Sequence, residues 1–246
     1  MEADSVESAS IFFSRARKCA SSSGPRNSRS SILIRLAGHC QMAGIQFPAW
    51  VTKMDENLRD LLREIEENGR ENDAHTTERA RMMLNLEPAS AQLLSILVRA
   101  SGVTRALEVG TSNAYSTIWL AWSLAPAGGR IVSIDRNPAK HALARENLKR
   151  AGFLDRVELR TGDAAEIAHG LAGPFDLIFL DADRRKFPEI LEILLPKIAS
   201  KALVIADNVL SHPEEIAEYL KLISSFPEFQ HTTVPIGKGL SIAYRG

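Results

Sequence analysis

From residue 55 onward, apolar positions first recur at helical spacing and then gather into short runs. Leu58, Leu61, Leu62 and Ile65 share one helix face, because residues three and four apart stack on successive turns, and Asn68-Gly69 reads as the stop of that helix. A polar link over 70–77 leads to a second helical stretch around 79–84. Pro88, tolerated in a first turn, then opens a helix striped by Leu93, Leu94, Leu97 and Val98. The short runs follow: Ala106-Leu107-Glu108-Val109, Ile131-Val132-Ser133-Ile134, Val157-Glu158-Leu159, Leu177-Ile178-Phe179-Leu180, Leu203-Val204-Ile205-Ala206, Thr233-Val234-Pro235-Ile236 and Leu240-Ser241-Ile242-Ala243. Helix-patterned segments such as 139–151 and 188–198 separate the first five, the signature of right-handed crossovers in a parallel sheet covered on both faces. Only Gly237-Lys238-Gly239 separates the last two, which reads as a hairpin. The expected fold is α/β, an open doubly wound sheet that binds its ligands beyond the carboxyl ends of the strands; a β-sandwich and a helical bundle are excluded.

Residues directly after the strands are therefore the candidates for chemistry. The first strand runs into Gly110-Thr111-Ser112-Asn113-Ala114-Tyr115-Ser116, where Gly110 permits a tight turn and the amides at the following helix start approach a ligand closely. Ser112 and Tyr115 occupy the places of the second and third glycines of a dinucleotide fingerprint, which argues against a nicotinamide oxidoreductase. Asp135 ends the second strand, where a carboxylate accepts both hydroxyls of a ribose, and Gly162-Asp163-Ala164 follows the third. Together they favour a ligand that contains a nucleoside but no diphosphate.

The fourth strand runs into Asp181-Ala182-Asp183-Arg184-Arg185-Lys186-Phe187 and the fifth into Asp207-Asn208. Carboxylates at the ends of two adjacent buried strands are costly to desolvate unless a cation compensates. Asp181, Asp207 and the amide oxygen of Asn208 present three hard oxygens suited to Mg²⁺. The alternative, Asp181 and Asp207 as helix caps or as partners of Arg184 and Arg185, stays open at this point. Trp119 and Trp122, three residues apart, read as packing residues, and His212, four residues after Asn208 and near the rim, as a residue at a helix start, with catalysis as the second reading.

Composition adds limits. The chain has 30 Lys+Arg and 30 Asp+Glu, so nothing marks it as a protein that coats nucleic acid or an anionic membrane. No apolar run approaches the roughly 20 residues that cross a bilayer, and 45% apolar residues suffice for a core, so the expectation is a cytoplasmic globular protein. The neutrality is a cancellation: residues 1–54 carry seven cations and three acids, a net of +4, and the remainder a net of −4. Residues 1–44 read as a disordered, basic, Ser-rich extension and 45–246 as the functional domain, with helices over 55–100 and the sheet over 105–246. For the extension, an organellar transit peptide, a basic tail for a partner and an unfolded leader all remain open. Cys19 and Cys40, the two cysteines, belong to no metal-binding or disulfide pattern.

Glu108-Val109-Gly110-Thr111 with Tyr115-Ser116-Thr117, then Asp135, Phe179-Leu180-Asp181-Ala182-Asp183, Asp207-Asn208 and the final hairpin resemble the cation-dependent O-methyltransferases, the group of catechol and caffeoyl-CoA O-methyltransferases. The resemblance runs from about residue 82 to the C-terminus. It implies the class I methyltransferase sheet, seven strands in the order 3214576 with the last antiparallel, and S-adenosylmethionine as cofactor. It further implies that Glu108, Gly110, Thr111, Ser112 and Ser116 lie against the methionine part, that Asp135 holds the ribose and that Asp163 and Ala164 border the adenine, with Asp181 also at the cofactor. Asp181, Asp207 and Asn208 would be ligands of a divalent cation, Mg²⁺ foremost. The acceptor would be a small molecule with vicinal, catechol-like hydroxyls, without nucleic acid or membrane as partner, and the assembly a homodimer.

Three positions depart from the family pattern. Ala114 replaces the second glycine and is expected to require a negative φ; Phe187 replaces a frequent tyrosine; and Arg184 stands where the family has its lysine. A guanidinium stays protonated and cannot serve as general base, so Asp181, Arg184 and Lys186 are the catalytic candidates, Arg184 through its charge; either the metal alone acidifies the hydroxyl, or Lys186 substitutes as base, or the acceptor is more acidic than a simple catechol. A protein that keeps the cofactor cleft but has lost catalysis, or one that methylates RNA or protein, remains the alternative.

Overall fold

The computed structural model describes residues 54–246; the readings made for 1–44 lie outside the described residues. Helix α1 (Glu56–His75) starts where Asp55 accepts the amide of Leu58 at 2.8 Å, and buries the stripe Leu58, Leu61, Leu62 and Ile65. It does not stop at Asn68-Gly69. Gly69 is buried inside it, and a Cβ there would stand 2.4 Å from Nδ2 of Asn85, which donates to the carbonyl of Ile65 at 3.2 Å. The glycine is the place where another segment's side chain enters, so the polar link over 70–77 is mostly the end of α1. The helical stretch expected around 79–84 is absent as well. That segment makes a turn and then an extended strap, because the carboxylate of Asp73 takes the amides of Met83 and Leu84 at 2.6 and 2.8 Å and holds them away from helical pairing. Helix α2 (Pro88–Ser101) begins at its proline and ends on Gly102, whose φ of 67° closes the helix.

The sheet comprises β1 (Arg105–Val109), β2 (Arg130–Asp135), β3 (Val157–Thr161), β4 (Phe175–Leu180), β5 (Ile198–Ala206), β6 (Phe229–Val234) and β7 (Leu240–Arg245) in the order β3-β2-β1-β4-β5-β7-β6. The first five run parallel, and β7 runs antiparallel to both β5 and β6. Between them lie α3 (Tyr115–Leu124), α4 (Pro138–Arg150), α5 (Ala164–Gly170), α6 (Phe187–Leu194) and α7 (Pro213–Ser225). Strand β4 shows why the sheet is covered twice. Leu177 and Phe179 join the core beneath α1 to α3, and Ile178 and Leu180 join the core beneath α6 and α7. The apolar run at Thr233 to Ile236 is only half strand: β6 ends at Val234, before Pro235, which has no N–H to give to the ladder.

Chain order reverses between β1 and β4, which are direct neighbours, and the carboxyl ends of these two strands open on one cleft. Here the expectation for Ala114 is overturned: its φ is 70°, in the left-handed region. It caps α3 fully buried, with its amide donating to the carbonyl of Thr111 at 2.8 Å, so the turn imposes the conformation despite the methyl group. Relief of that strain and loss of the buried methyl are each about 1 kcal/mol and of opposite sign. Ala114→Gly is therefore expected to change stability by less than about 1 kcal/mol, and Ala121→Gly, in the buried interior of α3, to cost at least about 1 kcal/mol more. Urea unfolding of the two variants checks this, and equal losses would contradict it.

Candidate active site

Beyond β1, β2 and β4 lies a cavity of about 690 Å³. Gly110, Thr111, Ser112 and Ser116 line it from the β1 turn, Asp135 from β2, Asp163 and Ala164 from the start of α5, and Asp181, Arg184, Lys186 and Asn208 from the ends of β4 and β5. One rim thus collects nearly every residue singled out from the sequence. Two lie behind it.

Glu108 is the first of these. It is fully buried and accepts hydrogen bonds from the hydroxyls of Ser116, Thr117 and Ser133 at 2.6, 2.5 and 2.6 Å. Thr111 pairs with Ser133 at 2.6 Å and meets Nε2 of His141 at 3.3 Å, so the carboxylate anchors the turn from beneath. Burial pushes the Glu108 carboxyl up to about 7, against the three hydroxyls and with a further push from Asp135. A folded value above the ordinary 4.5 means that the native state holds the proton more tightly. The associated stability is complete below the ordinary value and is lost as pH rises through about 7. Glu108→Gln removes the titration. Its stability relative to wild type should therefore improve by up to about 3 kcal/mol as pH rises through that window, on top of a constant loss from altered hydroxyl contacts. Parallel curves of urea-derived stability against pH would show that Glu108 does not titrate there.

Asp135 takes the amide of Ser112 on Oδ2 and that of Asn137 on Oδ1, both at 2.8 Å. Each oxygen keeps a lone pair for a further donor. Asp163 caps α5 through the amides of Ala165 and Glu166. The strap over 79–86 forms a wall of the cavity that the sequence reading did not assign. Ser112 Oγ donates to the carbonyl of Met83 at 2.6 Å and Asn137 Nδ2 to that of Ala80 at 3.0 Å, so the strap is fastened to the same two residues that Asp135 holds. Positive φ angles at Leu84, Ser112 and Asn208, all cavity-lining, concentrate backbone strain here.

Asp207 is the second residue behind the rim, only 2% exposed. Asn208 Nδ2 donates to Oδ2 of Asp207 at 2.7 Å and to Oδ1 of Asp181 at 3.1 Å, which brings the three together; Oδ1 of Asp207 is buried without a partner. Among the described residues neither aspartate caps a helix or pairs with an arginine. Asp183 is the cap and the partner of Arg185, and Arg184 turns to Glu215, whose Oε2 it meets through Nε at 3.1 Å and Nη2 at 2.6 Å. Burial raises the proton affinity of both Asp181 and Asp207, and each is raised further by neighbouring carboxylates, Glu108 for Asp181 and Asp181 for Asp207. Among the described residues no group of three or more His, Cys, Asp or Glu is placed to hold a metal. The set here is two carboxylates and an amide, and a half-turn of the amide would direct its oxygen inward. An orphaned buried carboxylate oxygen beside a second buried carboxylate fits a cation's requirements.

Lys186 stands at the outer edge, exposed and ion-paired with Glu189 at 3.0 Å, which holds its proton more firmly than an ordinary lysine does. Trp119 and Trp122 pack edge to face, 6.0 Å between ring centres, and line no part of the cavity. Lys140, Glu215 and Lys238 also line it and were not assigned a role from the sequence, and so does His212, read there as a residue at a helix start. The ion pair of Glu215 with Arg184 joins positions 31 apart, which no local pattern announces.

The strand order, the rim carboxylates and the glycine turn together define a class I methyltransferase fold. An O-methyltransferase family model matches residues 56–224, more than half of the chain, and the chain belongs to that family. It is 37% identical over 131 residues to the catechol O-methyltransferase of Niastella koreensis, covering 52% of this chain and 59% of that protein. To the catechol O-methyltransferase of Mycobacterium tuberculosis it is 38% identical over 128 residues, covering 52% and 58%. The chain thus spans somewhat under three fifths of those two relatives. The O-methyltransferase of Bacillus cereus, solved in complex with SAH, superposes with a TM-score of 0.66 at 28% identity, covering 80% of this chain and 93% of that one. Among the described residues no helix is long and apolar enough to cross a membrane.

Proposed function

We propose that the chain is an S-adenosylmethionine-dependent O-methyltransferase that acts with a divalent cation on a small molecule bearing vicinal hydroxyls. The observation that carries this reading is the orphaned Oδ1 of Asp207, buried beside Asp181 and Asn208 at the end of a cleft lined by Asp135 and Asp163. Asp135, with a lone pair left on each oxygen, would accept the ribose hydroxyls. The 110–112 turn would face the methionine part, and Asp163 with Ala164 would border the adenine. When bound, the cofactor supplies an electrophilic methyl on a sulfonium sulfur. Asp181, Asp207 and Asn208 would hold the cation, which supplies positive charge for an acceptor oxygen as it loses its proton.

The chain's own residues then fix positions and charge. The strap fastened by Ser112 and Asn137 walls the cofactor side, and Arg184, only 4% exposed and paired with Glu215, would place its guanidinium at the acceptor end. Retention of the two aspartates and the amide favours an active enzyme over a cleft that only binds cofactor. The expected result is transfer of labelled methyl from S-adenosylmethionine to catechol in the presence of Mg²⁺, abolished by chelator. Binding of S-adenosylhomocysteine without methyl transfer to any diol would reject the catalytic reading, and transfer indifferent to chelator would reject the cation. A cytoplasmic homodimer is the accompanying proposal, tested by fractionation and by sedimentation.

A further inference from the structure

On the reading just given, an acceptor hydroxyl must lose its proton, and the residue at the family's lysine position does not take it. Arg184 is a guanidinium clamped by Glu215. Lys186 is engaged by Glu189 and raised in proton affinity, the wrong direction for a base. Lys238 is paired with Glu87 at 3.0 Å. Burial pushes Lys140 below the ordinary lysine value, but it stands on α4 with Asp135, its strongest charged neighbour, at the ribose end. His212 lines the same cavity as Asp181, Arg184 and Asn208, and an imidazole is the side chain that most often takes a proton in catalysis.

The hydrogen bonds around His212 fix which nitrogen is basic. Ser211 Oγ donates its single proton to the carbonyl oxygen of Asn208 at 3.1 Å. The 2.9 Å contact between Ser211 Oγ and His212 Nδ1 therefore needs its hydrogen on Nδ1. Nε2 is left as the acceptor on an exposed ring, with no hydrogen-bond partner among the described residues. The ring is thus oriented by a relay that ends on the backbone of Asn208, a candidate cation ligand. Its place at the N-terminal boundary of α7 puts it one turn from Glu215, whose amide donates to the His212 carbonyl at 3.1 Å.

We propose that His212 is the general base of this enzyme. Nε2 takes the proton of the acceptor hydroxyl, the oxygen's electron pair forms the new bond to the methyl carbon, and the carbon–sulfur bond breaks, leaving a neutral thioether. The imidazolium then releases the proton to solvent. Glu215 on α7 interacts electrostatically with the ring, and Asp181, Arg184, Arg185 and Lys238 line the same cavity.

The test compares His212→Asn with wild type on catechol and on the more acidic nitrocatechol. The asparagine keeps a donor to Ser211 and removes Nε2. General-base catalysis typically contributes 10²–10⁴-fold, so kcat/KM on catechol is expected to fall by at least about 100-fold and to lose its acid limb. On nitrocatechol, already ionised near neutral pH, it should fall by less than about threefold. Ser211→Ala, which releases the tautomer, should show the same preference to a smaller degree. S-Adenosylhomocysteine binding, measured by calorimetry on the same preparations, should stay within about twofold. An unchanged rate on catechol, or an equal fall on both acceptors, overturns the assignment. Absence of turnover by the wild-type protein on either acceptor instead rejects the methyltransferase reading, and the base with it.

Discussion

Replacing Gly110 by alanine is expected to destabilise the protein by about 4 kcal/mol and to abolish binding of S-adenosylhomocysteine. The φ of Gly110 is 112°, a region that L side chains rarely occupy, and the added Cβ would stand 1.9 Å from the carbonyl oxygen and 2.7 Å from the carbonyl carbon of Asp181. Neither side can yield cheaply. The amide of Gly110 is held by the carbonyl of Ile134 at 2.8 Å and the amide of Asp181 by that of Val109 at 2.8 Å, so the clash lies between two backbones locked into one sheet. Strain at such a φ amounts to about 1–3 kcal/mol and overpacking to about as much again. The functional loss has the same origin, since any relief moves either the cofactor turn or Asp181 itself. Urea unfolding and calorimetry would measure the two effects. A stability loss under about 1 kcal/mol with cofactor binding retained would mean that the two strand ends are not so closely joined.

The same contact explains what was readable in the sequence. A strand followed by glycine or aspartate is legible at Gly110, Asp135, Asp163 and Asp181 because the parallel sheet brings such positions to one cavity rim, with Asp207 just behind it. Features set by distant parts of the chain were not legible. Gly69 looked like a helix stop because nothing nearby indicates that Asn85 enters beside it. Ala114 looked as though it needed a negative φ, because the energy of one residue was weighed without the turn that surrounds it. Glu108 was taken for a cofactor contact. Alternation along β1 sends its side chain to the buried hydroxyls of Ser116, Thr117 and Ser133. The strap over 79–86 gave no signal as a cavity wall, since its fastenings to Ser112 and Asn137 are long-range bonds to main-chain carbonyls, which any residue supplies.

Asp207→Asn should change stability and function in opposite directions. In the absence of a cation, Asp207 and Asp181 are two buried carboxylates that raise each other's proton affinity, with the amide of Asn208 as the hydrogen-bond donor between them. Replacing one of them by a neutral side chain of the same shape removes that repulsion, so the cation-free variant should melt above the cation-free wild type. In Mg²⁺ the order should reverse. A ligand at 100 times its Kd stabilises by about 2.7 kcal/mol, and the variant, which lacks one of the two charges that would hold the ion, should forgo most of that gain. Methyl transfer should fall by more than the 10–100-fold typical for loss of a residue that merely supports a metal ligand. Thermal melts with Mg²⁺ and with chelator, beside rates under the same conditions, separate this from a purely structural role for Asp207. An aspartate that only stabilised the fold would give a variant that melts lower in both conditions. An aspartate that holds the cation gives a variant whose melting temperature no longer depends on Mg²⁺, because an isosteric amide keeps the hydrogen bond from Asn208 but does not restore the charge.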